Sequence, residues 1–241
     1  MRPMRPGTAV GAACRVDPPM GVDSRELELG KRAAAAAAAA LLDDGMTVGL
    51  GTGTTIAHFL PALAERALSL RCVATSPGTE RAARDLGLDV EPFDADGPPR
   101  IDLAVDGADQ VAPDRWLVKG RGGAHTREKI VAAAAERFVV IVDWTKVVDA
   151  LRPPVPLEVM TFGLASTMRL LSDLGPVRRH DGATTPDGNV LVEFEGDTGD
   201  PARLSGALDA VPGVVGHGLF PPHLVTEVLV GRADGQVQLI G

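Results

Sequence analysis

From Asp23 onward, apolar and polar positions fall into alternating blocks of helical and strand period. Asp23 with Glu26 three residues on forms a capping-box pattern ahead of the alanine run Ala33 to Ala40, which predicts a helix from Ser24 to about Leu42. Asp44-Gly45 ends it, and Met46 to Leu50 reads as a buried strand entering the turn Gly51-Thr52-Gly53-Thr54-Thr55. A helix from about Thr55 to Leu68, a strand Arg71 to Thr75 and a helix Gly78 to Leu86 repeat the alternation that produces a parallel sheet. The pattern resumes with strands Ile101 to Val105 and Trp116 to Val118, a helix from about Ala124 to Ala135, and the β-rich run Phe138 to Val142.

Pro153, Pro154 and Pro156 interrupt this rhythm. Beyond them a smaller set follows: strand Leu157 to Met160, helix Leu164 to Leu174, strand Val190 to Phe194, helix Ala202 to Ala210 and strand Val214 to Leu219. The final runs, Leu224 to Gly231 and Gln236 to Ile240, return to the first unit. The expected fold is α/β: a layered domain with a parallel sheet over 23–153 and 222–241, carrying a smaller α+β lobe over 154–221. Residues 1–22 contain Arg2, Arg5 and Arg15 without a continuous apolar core and read as a disordered leader rather than a secretory signal.

At 241 residues, with 45% hydrophobic and 23% charged side chains, the chain can bury a sizeable core. A formal charge of −8 and the lack of a Lys/Arg cluster argue against a general nucleic-acid binder. Any phosphorylated ligand must then meet locally gathered lysines. Cys14 and Cys72 are too few and too far apart for a disulfide framework or a metal site, which makes a reducing cytoplasm the simplest compartment. The longest apolar stretch, Ala33 to Leu42, is about ten residues against the ~20 of a membrane span, so no membrane partner is expected.

Candidate chemistry gathers in loops at strand ends, where active sites are built. Gly51 to Thr55 sits between a strand and a helix, so its amides and hydroxyls can face an anion; the ordinary alternative is a tight βα turn. It is neither a Walker A loop nor a dinucleotide fingerprint, which disfavours ATP and NAD. Asp106-Gly107-Ala108-Asp109 is compatible with a type I turn or with two carboxylates at a sugar. Lys119 precedes a glycine-rich turn and Glu128 begins the next helix, so the amine can meet a developing oxyanion while the carboxylate abstracts a proton. Glu128 alone also fits an exposed helix carboxylate paired with Arg127 or Lys129. Lys146 fits a surface lysine or a phosphate ligand.

Taken together, Gly49 to Thr55, Thr75-Ser76, Asp106 to Asp109, Lys119-Gly120, Thr126-Arg127-Glu128-Lys129-Ile130-Val131 and Asp143-Trp144-Thr145-Lys146 closely resemble the type A ribose-5-phosphate isomerase family in order and spacing. The likeness runs from about Glu26 to the C-terminus and includes Pro212 to Val215 and Gly218 to Phe220. It implies a Rossmann-like domain with a smaller α+β, ferredoxin-like lobe. It further implies reversible interconversion of ribose 5-phosphate and ribulose 5-phosphate in the pentose phosphate pathway, with no metal and no organic cofactor. By the family's pattern Glu128 is the general base, acting through a cis-enediolate. Lys119 stabilises the enediolate oxygen, and Asp106 and Asp109 hold sugar hydroxyls and assist ring opening. Thr52, Gly53, Thr54 and Thr55 bind substrate with Gly107, Ala108, Gly120, Arg121 and Gly122, and Lys31 with Lys146 binds the phosphate beside Thr55. The lobe is expected to serve oligomer contacts, giving a homodimer or a tetramer of dimers.

The chain departs from the family's usual residues at Arg121 (glycine), Thr54 (serine) and His125 (leucine-like), and in the turn Thr184 to Asn189. Arg121 pointing inward would contact phosphate or obstruct the sugar; pointing outward, it would leave the site alone. Trp144 reads as a partly buried aromatic or a cap on the pocket, and His125 as a helix-start residue. Two other functions are compatible with the scaffold. One is a non-catalytic sugar-phosphate sensor, although no output module is visible; the other is a coenzyme A transferase-like enzyme, which needs a carboxylate nucleophile in another context.

Overall fold

A computed structural model describes residues 22–98 and 100–241, without the side chains of residues 181–183. The expected leader lies outside the described residues but for its last one. Helix α1 (Ser24–Ala39), strand β1 (Thr47–Leu50), helix α2 (Ile56–Ala64), strand β2 (Arg71–Ala74) and helix α3 (Pro77–Asp85) come first. Next are β3 (Ile101–Asp106), β4 (Gln110–Val111), β5 (Leu117–Val118), α4 (His125–Ala134), β6 (Ala135–Asp143) and a 3-10 turn at Trp144–Lys146. A second unit contains β7 (Val155–Val159), α5 (Leu164–Leu174), β8 (Val177–Thr184), β9 (Val190–Phe194), α6 (Pro201–Asp209) and β10 (Val214–His217). The chain returns through β11 (Leu219–Phe220), a 3-10 turn at Pro222–Leu224, β12 (Glu227–Gly231) and β13 (Val237–Ile240).

The main sheet runs β13-β12-β6-β3-β1-β2, with β2, β1, β3, β6 and β12 parallel and β13 antiparallel at the edge. Period-two alternation divides its side chains between two cores. Val139 and Ile141 of β6 face α1 and α2, whereas Phe138, Val140 and Val142 join Val131 and Ala132 of α4 on the opposite face. Small residues let α1 press onto the sheet: a Cβ on Gly231 would stand 1.8 Å from the Gly30 carbonyl oxygen, so neither position tolerates a side chain without moving the helix.

Chain order across the parallel strands reverses between β1 and β3, because β1 leads outward to β2 and the chain then crosses back to β3. In open α/β sheets the crevice beyond the carboxyl ends at such a reversal is where ligands bind. Here it is bordered by the loop after β1 and the loop after β3.

The second unit has the βαββαβ order of a ferredoxin-like lobe, with an antiparallel sheet β10-β7-β9-β8 around its own core of Leu157, Val192, Phe194 and Leu171. A third, three-stranded sheet, β11-β5-β4, stitches the returning chain to the segment carrying Lys119.

Several expected boundaries shift. The first helix stops at Ala39 because its end tightens into i→i−3 bonds, Leu41 N–H to Ala38 and Leu42 N–H to Ala39. The second stops at Ala64, ahead of Ala67 at φ +50°. The strand expected over Val214 to Leu219 is divided: Val214–His217 pairs with β7, and Leu219–Phe220 pairs with β5.

Candidate active site

The loop after β1 approaches the loop after β3 as closely as two chains can. A Cβ on Gly51 would stand 2.1 Å from both Cγ and Oδ1 of Asp106, so only glycine lets the Asp106 carboxyl lie there. Thr52 N–H (3.0 Å) and Gly107 N–H (2.7 Å) donate to Asp106 Oδ1. The Thr52 hydroxyl is engaged with Thr75 (2.9 Å) and Thr79 (3.2 Å), and Thr79 in turn donates to the Gly51 carbonyl at 2.8 Å. This hydroxyl network braces the loop, and sequence reasoning had given it no role beyond the Thr75-Ser76 resemblance.

Lys119 leaves the end of β5 with its N–H on the Gly218 carbonyl at 2.8 Å, so the chain returning from the lobe fixes its backbone. Its Nζ lies 2.9 Å from Asp106 Oδ2 and 3.3 Å from Glu128 Oε2, and donates to the Gly107 carbonyl. The ring of Phe220 lies 5.3 Å below the amine. Glu128 sits in the first turn of α4, its N–H bonded to the Ala124 carbonyl at 2.9 Å. Lys119, Asp106 and Glu128 are all buried.

Burial dictates the electrostatics of this trio. Desolvation, reinforced by the charge of Asp106 and opposed by Lys119, pushes Glu128 up to about 8. Asp106 is also raised by burial, against the pull of Lys119 and its two amide donors. For Lys119 burial acts downward, but Asp106 and Glu128 outweigh it and the ammonium is held above its usual range. One ammonium between two carboxylates therefore favours a proton resident on the acids near neutral pH, the state of a carboxyl able to take and return protons.

Asp109 stands at the edge of this cluster, half-buried. Its Oδ2 accepts the Arg121 N–H at 3.2 Å and its Oδ1 is 3.9 Å from Arg121 Nε, so the arginine turns toward Asp109. The left-handed positions of the turn are Gly120 (φ +110°) and Gly123 (φ +75°), so the backbone at Arg121 does not require glycine. Gly122 faces the Thr52 methyl at 3.6 Å from where a Cβ would stand. His125 does start α4, but it is fully buried against Gly120, and desolvation, ahead of the neighbouring Lys129, lowers it to about 3. It is therefore a neutral core imidazole.

Around the loop after β1 the residues are less concentrated. Gly53 and Thr54 are exposed and Thr55 is buried at the start of α2, whose ladder begins with Ala57 N–H on Gly53 at 3.1 Å. Amides ahead of that bond lack intrahelical acceptors by the geometry of the helix. Lys31 follows Gly30, whose Cβ position stands 2.8 Å from the Gly231 carbonyl oxygen at the end of β12, and Lys146 closes the 3-10 turn that follows β6. Trp144 packs against Gly30, its Cζ3 2.9 Å from where a Cβ would stand. Lys31 Nζ is bonded to Glu28 Oε1 at 2.9 Å, and Glu28 Oε2 is 2.6 Å from His58 Nε2; neither Glu28 nor His58 was singled out by sequence.

The lobe grips α4, the helix that carries Glu128. Arg127 forms a two-pronged pair with Asp187 (2.6 to 3.1 Å) in the β8–β9 turn, and that turn is anchored on the buried Glu158 through Thr185 (2.8 Å) and Asn189 (2.7 Å). Gly123 meets Leu191 of β9.

The family model for ribose 5-phosphate isomerase A (phosphoriboisomerase A) matches residues 71–235. The chain belongs to the ribose 5-phosphate isomerase A family. Among its relatives, the ribose-5-phosphate isomerase A of Roseiflexus castenholzii is 44% identical over 225 residues, covering 88% of this chain and 95% of that one. The protein of the same name from Methanosarcina acetivorans is 38% identical, covering 87% and 93%. Among solved structures, ribose 5 phosphate isomerase A from Neisseria gonorrhoeae superposes with a TM-score of 0.84 at 30% identity, covering 89% of this chain and 96% of that one. A D-ribose-5-phosphate isomerase in complex with phospho-erythronic acid superposes at 0.83 with 33% identity, covering 89% and 98%. The fold class expected from sequence, a parallel α/β sheet with a smaller antiparallel lobe, is the fold of these isomerases.

Proposed function

We propose that this chain interconverts D-ribose 5-phosphate and D-ribulose 5-phosphate through an enediolate, with Glu128 carrying the proton between C2 and C1. The observation that carries the reading is the buried contact of Lys119 Nζ with Glu128 Oε2 at 3.3 Å and Asp106 Oδ2 at 2.9 Å, beside the strand reversal. In the forward direction Glu128 takes the C2 proton, and the electron pair forms the C1–C2 double bond. The aldehyde oxygen takes the negative charge next to Lys119. A proton then passes from the C2 hydroxyl to that oxygen, relayed by Asp106. Glu128 returns its proton to C1, and the ketone forms at C2. Atoms and electrons balance without an external redox partner.

Asp106 and Asp109 hold the sugar hydroxyls and assist ring opening in this reading. Thr52 to Thr55, Gly107, Ala108, Gly120, Arg121 and Gly122 line the substrate, and Lys31, Lys146 and Thr55 receive its phosphate. Arg121, already turned to Asp109, adds a cation at the mouth. The reading calls for no metal or organic cofactor. A non-catalytic sensor is not favoured by the comparisons. The test is ribulose 5-phosphate formation by the purified protein, with and without a chelator. Turnover insensitive to chelator is expected; no turnover at micromolar enzyme contradicts the activity, and chelator sensitivity contradicts the metal-free route.

Assembly as a homodimer, or a tetramer of dimers, through the lobe at about 154–221 belongs to the same proposal. It is supported by Phe162, 86% exposed, with Met160 and Val215 also exposed beside the β7–β10 edge. Sedimentation of the wild type and of Phe162→Asp tests it: a monomeric wild type, or an unchanged oligomer in the variant, contradicts that surface. A cytoplasmic location is proposed with it, supported by a chain with two cysteines of which Cys72 is a buried free thiol.

A further inference from the structure

Lys31, the lysine assigned above to the substrate's phosphate, already holds an anion. Glu28, one turn earlier on α1, meets Lys31 Nζ through Oε1 at 2.9 Å and His58 Nε2 through Oε2 at 2.6 Å. The Lys31 contact alone is the ordinary i,i+3 pair of a helix surface. His58 is different, because it comes from the first turn of a second helix, α2, directly after the Gly51–Thr55 loop.

Burial is unequal among the three. The Lys31 and His58 side chains are 14% and 22% exposed, whereas Glu28 is 47% exposed. Two donors from different helices are thus set in place while the carboxylate between them faces water. Lys31, ahead of His58 and against partial burial, holds Glu28 below the usual carboxylate range, so it is ionised at neutral pH. Donors converging on two oxygens at the amino end of a helix form the arrangement that a phosphate monoester requires.

We infer that Glu28 is a resident counter-anion of the phosphate subsite: its carboxylate holds Lys31 and His58 in the free protein, and an incoming phosphate takes over both donors, making His58 a further phosphate ligand. This rests on the reading of Lys31 given above. The exchange is favourable on charge, since Glu28 carries one negative charge and a phosphate monoester close to two at neutral pH. Glu28 is also the member best able to swing into water. In the free state its presence lowers the apparent affinity for any phosphate-bearing ligand, because the ligand has to displace it.

The experiment measures inorganic phosphate binding by calorimetry and KM for ribose 5-phosphate in the wild type, Glu28→Gln and His58→Gln, with circular dichroism to verify folding. Glu28→Gln is expected to tighten phosphate and lower KM by about two- to five-fold, the scale of a partly exposed ion pair, and His58→Gln to weaken phosphate by a similar factor. Glu28→Ala is to move in the same direction as Glu28→Gln. Unchanged or weaker phosphate binding in both Glu28 variants overturns the inference, as does unchanged binding in folded His58→Gln. A wild type that binds phosphate with these shifts but does not isomerise would refute the proposed reaction and leave the exchange standing. An active wild type whose Glu28 variants show no tightening would do the reverse.

Discussion

Lys119 Nζ lies 3.3 Å from Glu128 Oε2, and the two side chains are 3% and 5% exposed. A buried amine and a buried carboxylate at that separation have a joint chemistry that neither has at the surface, because each fixes the other's protonation while water is kept out. Glu128→Gln keeps the shape and removes the base. It is expected to lower kcat by about 100- to 10,000-fold, the usual range for losing a general base, while the variant still binds substrate in calorimetry. Near-normal kcat would remove Glu128 from the reaction.

The same relationship predicts a pH profile. Burial, ahead of the charge of Asp106, sets Glu128 at about 8 in the free protein, and only the ionised form accepts a proton. The kcat/KM value is therefore expected to rise with pH and level off above about 8. A profile flat from pH 6 to 9, on the order of a full titration of the group, would contradict this assignment.

Stability should run the opposite way. A carboxyl raised from its ordinary 4.5 to about 8 holds a proton in the folded chain that the unfolded chain has released. The folded state then binds more protons, so its advantage is fully present below the ordinary value and is lost as pH rises through about 8. Glu128→Gln should reduce that slope and be the more stable protein above pH 8 in denaturant titrations; a variant with the wild-type slope would contradict the account.

Removing the cation leaves two carboxylates buried without their partner. Lys119→Met is expected to lose about 3–5 kcal/mol of stability along with its activity. Adding Asp106→Asn should restore much of the stability and none of the activity. Thermal and denaturant melts of the single and double variants measure this, and an additive loss in the double variant would show that the charges are not coupled.

Much of the fold was legible wherever local periodicity and packing agree. Helix Leu164–Leu174 and strand Val190–Phe194 stand where their patterns put them, and the β1 and β6 runs of Val, Leu and Ile differ only at their ends. What escaped is what distant chain supplies. Gln110–Val111 is a strand only because Leu117–Val118 pairs with it, and that pair is extended by Leu219–Phe220 from the other end of the chain. Val177–Thr184 follows its first residue with Arg178, Arg179 and His180 and carries no apolar alternation, since it is an edge strand with one neighbour.

The candidate site divides along the same line. Asp106, Lys119 and Glu128 were readable as chemistry in glycine-bounded loops. The bond of Thr52 N–H to Asp106, the Thr75 and Thr79 hydroxyls behind Thr52, and His58 reaching Glu28 join residues 23 to 54 positions apart, which no local pattern encodes.

Gly51→Ala tests how closely the two loops must approach. Its methyl group would overlap the Asp106 carboxyl, so the carboxyl has to leave its amide donors. A loss of about 1–3 kcal/mol in stability, the range for overpacking, is expected together with a large fall in kcat. Wild-type activity with an unshifted melting temperature would mean that the loops separate freely.

The central claim is a proton carried by Glu128 between two carbons of an enediolate, and the most direct measurement is isomerisation of ribose 5-phosphate in deuterium oxide followed by nuclear magnetic resonance. Solvent deuterium at C1 of the ribulose 5-phosphate formed, with both its incorporation and turnover lost together in Glu128→Gln, is the predicted result. A Glu128→Gln protein that isomerises and exchanges at the wild-type rate would contradict it.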